Sequence, residues 1–375
     1  MTPGQPSIDF IVKISKFCNL RCTYCYEYDE LGNKRRMSLE QLRAFFEHIA
    51  ATAAAHGRVR FIWHGGEPLL IPLQVYEQIG RLQREVFPPA LTVVNLVQTN
   101  LTVLTDAQLE FLREKRFFAD GLGVSFDVYG DQRIDIRGRL RTETVLANLQ
   151  RLQDAGVHFG AITVLARNTL PKIVPIFRFF ESLGIGFRLL PIYKSANPAQ
   201  LDAHALSLAE ITGALKAVFD AWWVSERPTP VHPLDEYLRY ATAVVSGAPK
   251  KYHDPEVGER SFLVDTDGST YGQANSYEPG YSYGNVFEQD FGELLASATR
   301  QRAVDESRSR IERHCASCPY HGHCPGGFVA EASAEQRRAL EHGGCQVREV
   351  VAHIVQRLAA VPRPPQPQPA ETTAA

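Results

Sequence analysis

Between residue 8 and about residue 192 the chain alternates short apolar runs with stretches of helical period. The runs are Asp9–Ile14, Val59–Trp63, Leu91–Gln98, Leu122–Phe126, His158–Leu165 and Phe187–Pro191. Each is rich in Val, Ile, Phe or Leu, the composition of buried strands. Ser38-Leu39-Glu40-Gln41 predicts a capped helix start running through Ala55, and Thr105-Asp106-Ala107-Gln108 predicts another running through Glu114. Leu73–Val86, Thr142–Asp154 and Ile173–Leu183 read as further helices, the last stopped by Gly184. Six β-then-α units in succession predict a parallel sheet with right-handed crossovers. Six units fall short of the eightfold barrel and fit an open, partial (β/α)6 TIM-like barrel in an α/β chain.

Beyond residue 192 the pattern changes. Helices fit Ser207–Ser225, which opens on the capping pattern Ser207-Leu208-Ala209-Glu210, and Leu234–Ser246. A hairpin follows: Phe262–Val264, a turn at Asp267-Gly268, and Ser269–Tyr271. Gln346–Leu358 closes the fold, and the proline-rich segment from Val361 reads as a disordered tail. The expected division is 1–192 barrel core, 193–260 helical bridge, 261–360 α+β extension, and 361–375 tail.

Of the 375 residues 44% are hydrophobic and 22% charged, which excludes wholesale disorder. The net charge of −2 offers no global positive field for nucleic acid or an anionic membrane. No run reaches the ~18 apolar residues of a spanning helix. The start, Met1-Thr2-Pro3-Gly4, lacks a signal peptide's basic and apolar regions. The expectation is a cytoplasmic protein with neither a nucleic-acid nor a membrane partner.

The seven cysteines change the picture. Cys18, Cys22 and Cys25 form one tight group, and Cys315, Cys318, Cys324 and Cys345 form another. An odd number in a chain without a secretory signal argues against disulfides, and the spacing argues for metal. The first group directly follows the first strand. Three thiolates on one loop suit a four-iron cluster with one iron left open. After the second strand comes His64-Gly65-Gly66-Glu67-Pro68, in which the glycines allow close backbone approach and Glu67 offers a carboxylate to an amine.

Together these motifs resemble the radical S-adenosylmethionine family. Over residues 8 to about 358 the chain is similar to its SPASM/twitch type of peptide-modifying enzyme. The resemblance implies that S-adenosylmethionine chelates the open iron at Cys18, Cys22 and Cys25. It implies that Gly65, Gly66, Glu67 and Pro68 bind the methionine amino group and that Tyr24 packs on adenine. Thr99, Asn100, Ser125 and Asp127, at strand ends, would make ribose and carboxylate contacts, and Leu165 an adenine contact. The motifs fall at C-terminal strand ends, where parallel βα barrels build active sites. Arg133, Arg137, Arg139 and Arg141 read first as a solvated loop. The sharper reading pairs Arg137 or a neighbour with a carboxylate of S-adenosylmethionine or of an acidic leader peptide.

Spacing alone leaves the second group open between structural zinc and a fully ligated cluster, with His314, His321 and His323 nearby. The resemblance favours one auxiliary [4Fe–4S] cluster in an α+β iron–sulfur extension. The full family pattern has a second auxiliary cluster. Here Gln273 and Phe328 stand at two of its cysteine positions, so two clusters in all are expected. By the same resemblance the chain takes a hydrogen atom from a ribosomally made precursor peptide through a 5′-deoxyadenosyl radical. It then installs a cross-link, a C–C bond of the cyclophane kind being favoured, and draws electrons from a ferredoxin- or flavodoxin-like donor. The alternative is a sulfatase-maturing enzyme, against which stands Ala274 where that branch usually has Asp. Readings of another class are a non-catalytic iron–sulfur electron carrier and a zinc-binding interaction protein. By residue type, Asp235, Glu236, Tyr193, Lys194 and Tyr271 are candidate substrate-side acid/base groups.

Overall fold

A computed structural model describes residues 7–119, 121–192, 202–273, 276–330 and 334–360. Its ten strands are β1 (Ile8–Ser15), β2 (Arg58–Gly65), β3 (Thr92–Thr99), β4 (Leu122–Ser125), β5 (Phe159–Leu165), β6 (Phe187–Pro191), β7 (Val231–His232), β8 (Ser261–Val264), β9 (Ser269–Tyr271) and β10 (Gly284–Asn285). They form one sheet in the order β10-β9-β8-β1-β2-β3-β4-β5-β6-β7. From β8 through β7 every neighbour is parallel, and β8, β9 and β10 run antiparallel. The six predicted strands are all present. The two-residue β7, unmarked by any apolar run, adds a seventh parallel strand through Phe187↔Val231.

The predicted hairpin is β8–β9, and its first strand joins the barrel sheet directly. β8 pairs in parallel with β1, from Asp9↔Ser261 to Val12↔Val264, so the sheet runs unbroken into the segment after residue 260. The reason lies in alternation. Phe10, Val12 and Ile14 face outward and are buried, and Phe262 and Val264 extend the same apolar layer. Phe10 packs edge-on against Phe45 and Phe291, with centroids 5.4 and 5.2 Å apart.

The predicted helix starts are built as read. Ser38 and Gln41, Thr105 and Gln108, and Ser207 and Glu210 each form reciprocal capping boxes. Each satisfies backbone N–H groups that a helix start otherwise leaves bare. The helices Leu208–Trp223 and Leu234–Val245 support the last helix, Gln346–Ala359. Tyr193, Lys194, Ala274 and the 361–375 tail lie outside the described residues. No helix among the described residues is long and apolar enough to cross a membrane.

Candidate active site

The cysteine loop leaves the C-terminal end of β1 and is pinned by backbone bonds on both sides. Cys18 N–H donates to Leu31 O at 3.0 Å, Arg21 N–H to Ile134 O at 2.7 Å, and Thr23 N–H to Gln132 O at 3.0 Å. Cys18 and Cys22 are buried and Cys25 is partly so. N–H groups are aimed at the sulfurs: Leu20 N–H lies 3.4 Å and Asn100 Nδ2 3.7 Å from Cys18 Sγ, and Arg133 Nη1 lies 3.9 Å from Cys22 Sγ. Burial pushes the Cys18 thiol up to about 12 and Cys25 up to about 11, and neighbouring thiolates push both the same way. Iron binds the thiolate, so assembling a cluster here releases protons. A donor set of three adjacent thiols with N–H groups on sulfur fits a thiolate-bound cluster.

The Gly65-Gly66-Glu67 segment has a role the sequence left unseen. Gly65 adopts φ +123°, and a Cβ there would lie 2.1 Å from Ser15 O. A Cβ on Gly66 would lie 2.2 Å from Phe17 O. What the glycines approach closely is the backbone leading into the cysteine loop, where Gly66 N–H and Glu67 N–H donate to Ser15 O and Phe17 O at 2.8 and 2.9 Å. Gly66→Ala should therefore cost about 1–3 kcal/mol, as overpacking does. It should also lower the iron retained by the loop, read by thermal melting and iron analysis. An unchanged melt would show that the segment is not wedged.

Glu67 is 2% exposed and already engaged. Its Oε1 accepts from Leu69 N–H at 2.8 Å and Thr99 Oγ1 at 2.6 Å, and its Oε2 accepts from Asn100 N–H at 2.6 Å. Burial raises its pKa, and these bonds oppose the rise. Thr99 and Asn100 thus hold the Glu67 loop to the end of β3. Glu67→Gln turns an NH2 toward one of three donors. It should destabilise the fold by about 1–3 kcal/mol, the cost of an unsatisfied buried donor, and a urea midpoint identical to wild type would refute this.

Asp127 is equally committed. Oδ1 accepts from Thr163 Oγ1 at 3.0 Å and Val164 N–H at 2.7 Å; Oδ2 accepts from Tyr24 OH and from Arg133 Nε at 3.0 Å. Tyr24 therefore reaches the strand ends through its hydroxyl. Ser125 Oγ accepts from Gln98 Nε2 at 2.8 Å. Leu165 has no exposed surface and belongs to the main core. Arg137 is exposed on the loop, while Arg139 and Arg141 reach Asp135. The arginine that enters the site is Arg133, buried at 7% exposure. Spacing in the arginine run could not tell which member turns inward.

A second group escaped the sequence reading. Lys13 is fully buried and pairs with Glu27, its ammonium 3.2 Å from the Tyr277 ring centroid. Burial draws its pKa down to about 8. Lys16 sits 3.1 Å from Asp265 and 3.6 Å from Glu27, and Tyr277 OH donates to Asp265 at 2.9 Å. Tyr271 packs edge-on to Tyr277, centroids 5.1 Å apart. This network ties β1 and the cysteine loop to the hairpin side of the sheet. Asp235 instead faces His232 at 3.3 Å.

Cys315, Cys318, Cys324 and Cys345 line one cavity of about 400 Å³, together with Glu236, Arg310, His314, His321 and Phe328. Burial pushes Cys324 up to about 12, and the charges of Cys345, Cys315 and Cys318 add to it. Among the described residues no three metal-binding side chains stand at single-ion distance. Four thiols around a cavity of this size fit a fully ligated cluster.

The radical SAM superfamily model matches residues 12–180. The chain is 25% identical over 334 residues to a cysteine-type anaerobic sulfatase-maturating enzyme of Clostridium novyi, covering 86% of this chain and 87% of that protein. It is 25% identical over 330 residues to a serine-type anaerobic sulfatase-maturating enzyme of Klebsiella pneumoniae, covering 87% and 82%. Native anSMEcpe with bound AdoMet has the same fold, with a TM-score of 0.70 at 20% identity over 94% of this chain and 98% of that one. Streptococcus suis SuiB bound to precursor peptide SuiA gives a TM-score of 0.58 at 16% identity, over 88% and 76%. Residues 12–180 thus match the radical SAM superfamily, and over most of its length the chain is similar to sulfatase-maturating enzymes and shares the fold of anSMEcpe.

Proposed function

We propose that the chain removes a hydrogen atom from a side chain of a peptide held at the barrel mouth and converts it to an intramolecular cross-link. One observation carries the reading. The cysteine loop, the Glu67 loop and the Tyr24–Asp127–Arg133 group meet at the same C-terminal strand ends, and the sheet's two edges, β7 and β10, leave it open. S-adenosylmethionine on the reduced cluster supplies a hydrogen-abstracting 5′-deoxyadenosyl radical when bound. The chain's own residues build the setting for it. Thr99 and Asn100 fix Glu67, whose loop is bonded to the backbone leading into the cysteine loop, where the three thiols would hold the cluster. Asp127 accepts from Tyr24 of the cysteine loop and from Arg133, and so ties Arg133 to that loop. The buried Lys13–Glu27 pair and the partly buried Lys16–Asp265 pair close the side toward the hairpin. Peptide-bound relatives of the same fold, anSMEcpe with Cp18Cys peptide and SuiB with SuiA, support a peptide substrate. Forming the cross-link removes two hydrogens. One leaves as the abstracted atom, the other as a proton plus an electron, and a cluster held by Cys315, Cys318, Cys324 and Cys345 would supply an acceptor for that electron.

Sulfatase maturation is the second reading, favoured by similarity to sulfatase-maturating enzymes over most of their length. Against it, the hairpin carries Gln273 where a thiol ligand would stand, followed by Ala274. Anaerobic incubation with S-adenosylmethionine, a reductant, and either a sulfatase-type Cys peptide or peptides encoded beside the gene separates the two. A cross-linked product loses two hydrogens and does not react with a hydrazide, whereas formylglycine carries an aldehyde that does. A hydrazide-reactive product would replace the cross-link reading.

A further inference from the structure

We infer that Arg133 is a positioning charge for the barrel cluster: held against Cys22 by Asp127, it raises the cluster's midpoint potential. The inference rests on the radical SAM assignment and concerns this chain's own geometry. Arg133 Nε donates to Asp127 Oδ2 at 3.0 Å, while Nη1 lies 3.9 Å from Cys22 Sγ, so one guanidinium bridges carboxylate and sulfur. Neither end is free to drift. Asp127 is fixed on β5 by Val164 N–H and Thr163 and is also bonded by Tyr24, two residues beyond Cys22. On either side of Arg133, Gln132 O and Ile134 O accept from Thr23 and Arg21 of the cysteine loop. Thus Cys22, Tyr24, Asp127 and Arg133 form a closed ring of contacts.

The donors to Cys18 Sγ, Leu20 N–H and Asn100 Nδ2, are by contrast neutral. Reducing a cluster bound by three thiolates adds negative charge to a centre already negative. A fixed cation in a buried, weakly screened position stabilises that form, and N–H donation to sulfur acts in the same direction. Arginine suits the task because it does not deprotonate when buried and its planar fork serves both partners at once.

The test is an anaerobic redox titration of the reconstituted full chain, followed by electron paramagnetic resonance. The barrel signal is the one missing from the Cys18→Ala/Cys22→Ala/Cys25→Ala variant. If wild type has no such signal, the radical SAM assignment itself fails, which is a separate result. Arg133→Gln should keep its iron and its signal and shift the midpoint to more negative potential. Arg133→Lys, which keeps the charge, should recover part of the shift. An unchanged potential in Arg133→Gln overturns the inference. So does loss of iron from both variants, which would make Arg133 a structural strut.

Discussion

Replacing Cys18, Cys22 and Cys25 together with Ala should reduce 5′-deoxyadenosine formation to background. Iron should fall from about eight to about four per chain, the content of one remaining cluster. The effect is total because these are the thiols beside the mouth: the second group lines a separate cavity with no residue of this loop. Folding should survive. Cys18 and Cys22 belong to a small satellite cluster with Leu20 and Leu31, apart from the main core of β1 and β2. The loop's backbone bonds to Leu31, Gln132 and Ile134 do not involve sulfur. Ala also removes the high-pKa thiols whose burial disfavours the metal-free loop's charged form. Retained cofactor cleavage in this variant would overturn the assignment of the site.

The barrel was legible because each of its signals is local. Apolar runs such as Phe187–Pro191 and capping boxes at Ser38, Thr105 and Ser207 act within a few residues, and the structure builds them there. The cysteine spacing was equally local. What stayed hidden depends on partners far apart in sequence. β8 joins β1 across about 250 residues of chain because Phe262 and Val264 continue an apolar layer begun at Phe10. Lys13 reads as a flaw in an apolar strand until Glu27 and the Tyr277 ring close around it. Glu67 and Asp127 read as free carboxylates, yet Thr99 of β3 donates to the first and Val164 of β5 to the second. Arg133 and Arg137 are indistinguishable by type, and only the loop's docking on Arg21 and Thr23 decides which is buried.

Cys345→Ala should cost the C-terminal cluster while leaving the last helix in place. The sequence suggests that losing this ligand loosens the helix that follows, but the packing points elsewhere. Cys345 is the N-cap of Gln346–Ala359, whose Val350, Val351 and Ile354 are fully buried against the bridge helices. Each such side chain contributes about 1.5–3 kcal/mol by burial. His353 and Arg357 also hold Asp220 of Leu208–Trp223, each at 2.8 Å. The segment around Cys315, Cys318 and Cys324 has less to hold it. It turns through Gly322, Gly326 and Gly327, all at positive φ, and its cysteines are only partly buried. Metal binding supplies folding energy to sites of this kind. Hydrogen exchange should therefore rise across residues 311–330 in Cys345→Ala and stay low across 346–359. Iron should drop to about four per chain, with 5′-deoxyadenosine formation retained from the barrel cluster. Equal loss of protection in both segments would show that the helix depends on the cluster. Finding about one zinc and no iron at this group in the triple barrel variant would replace the second cluster with a structural zinc.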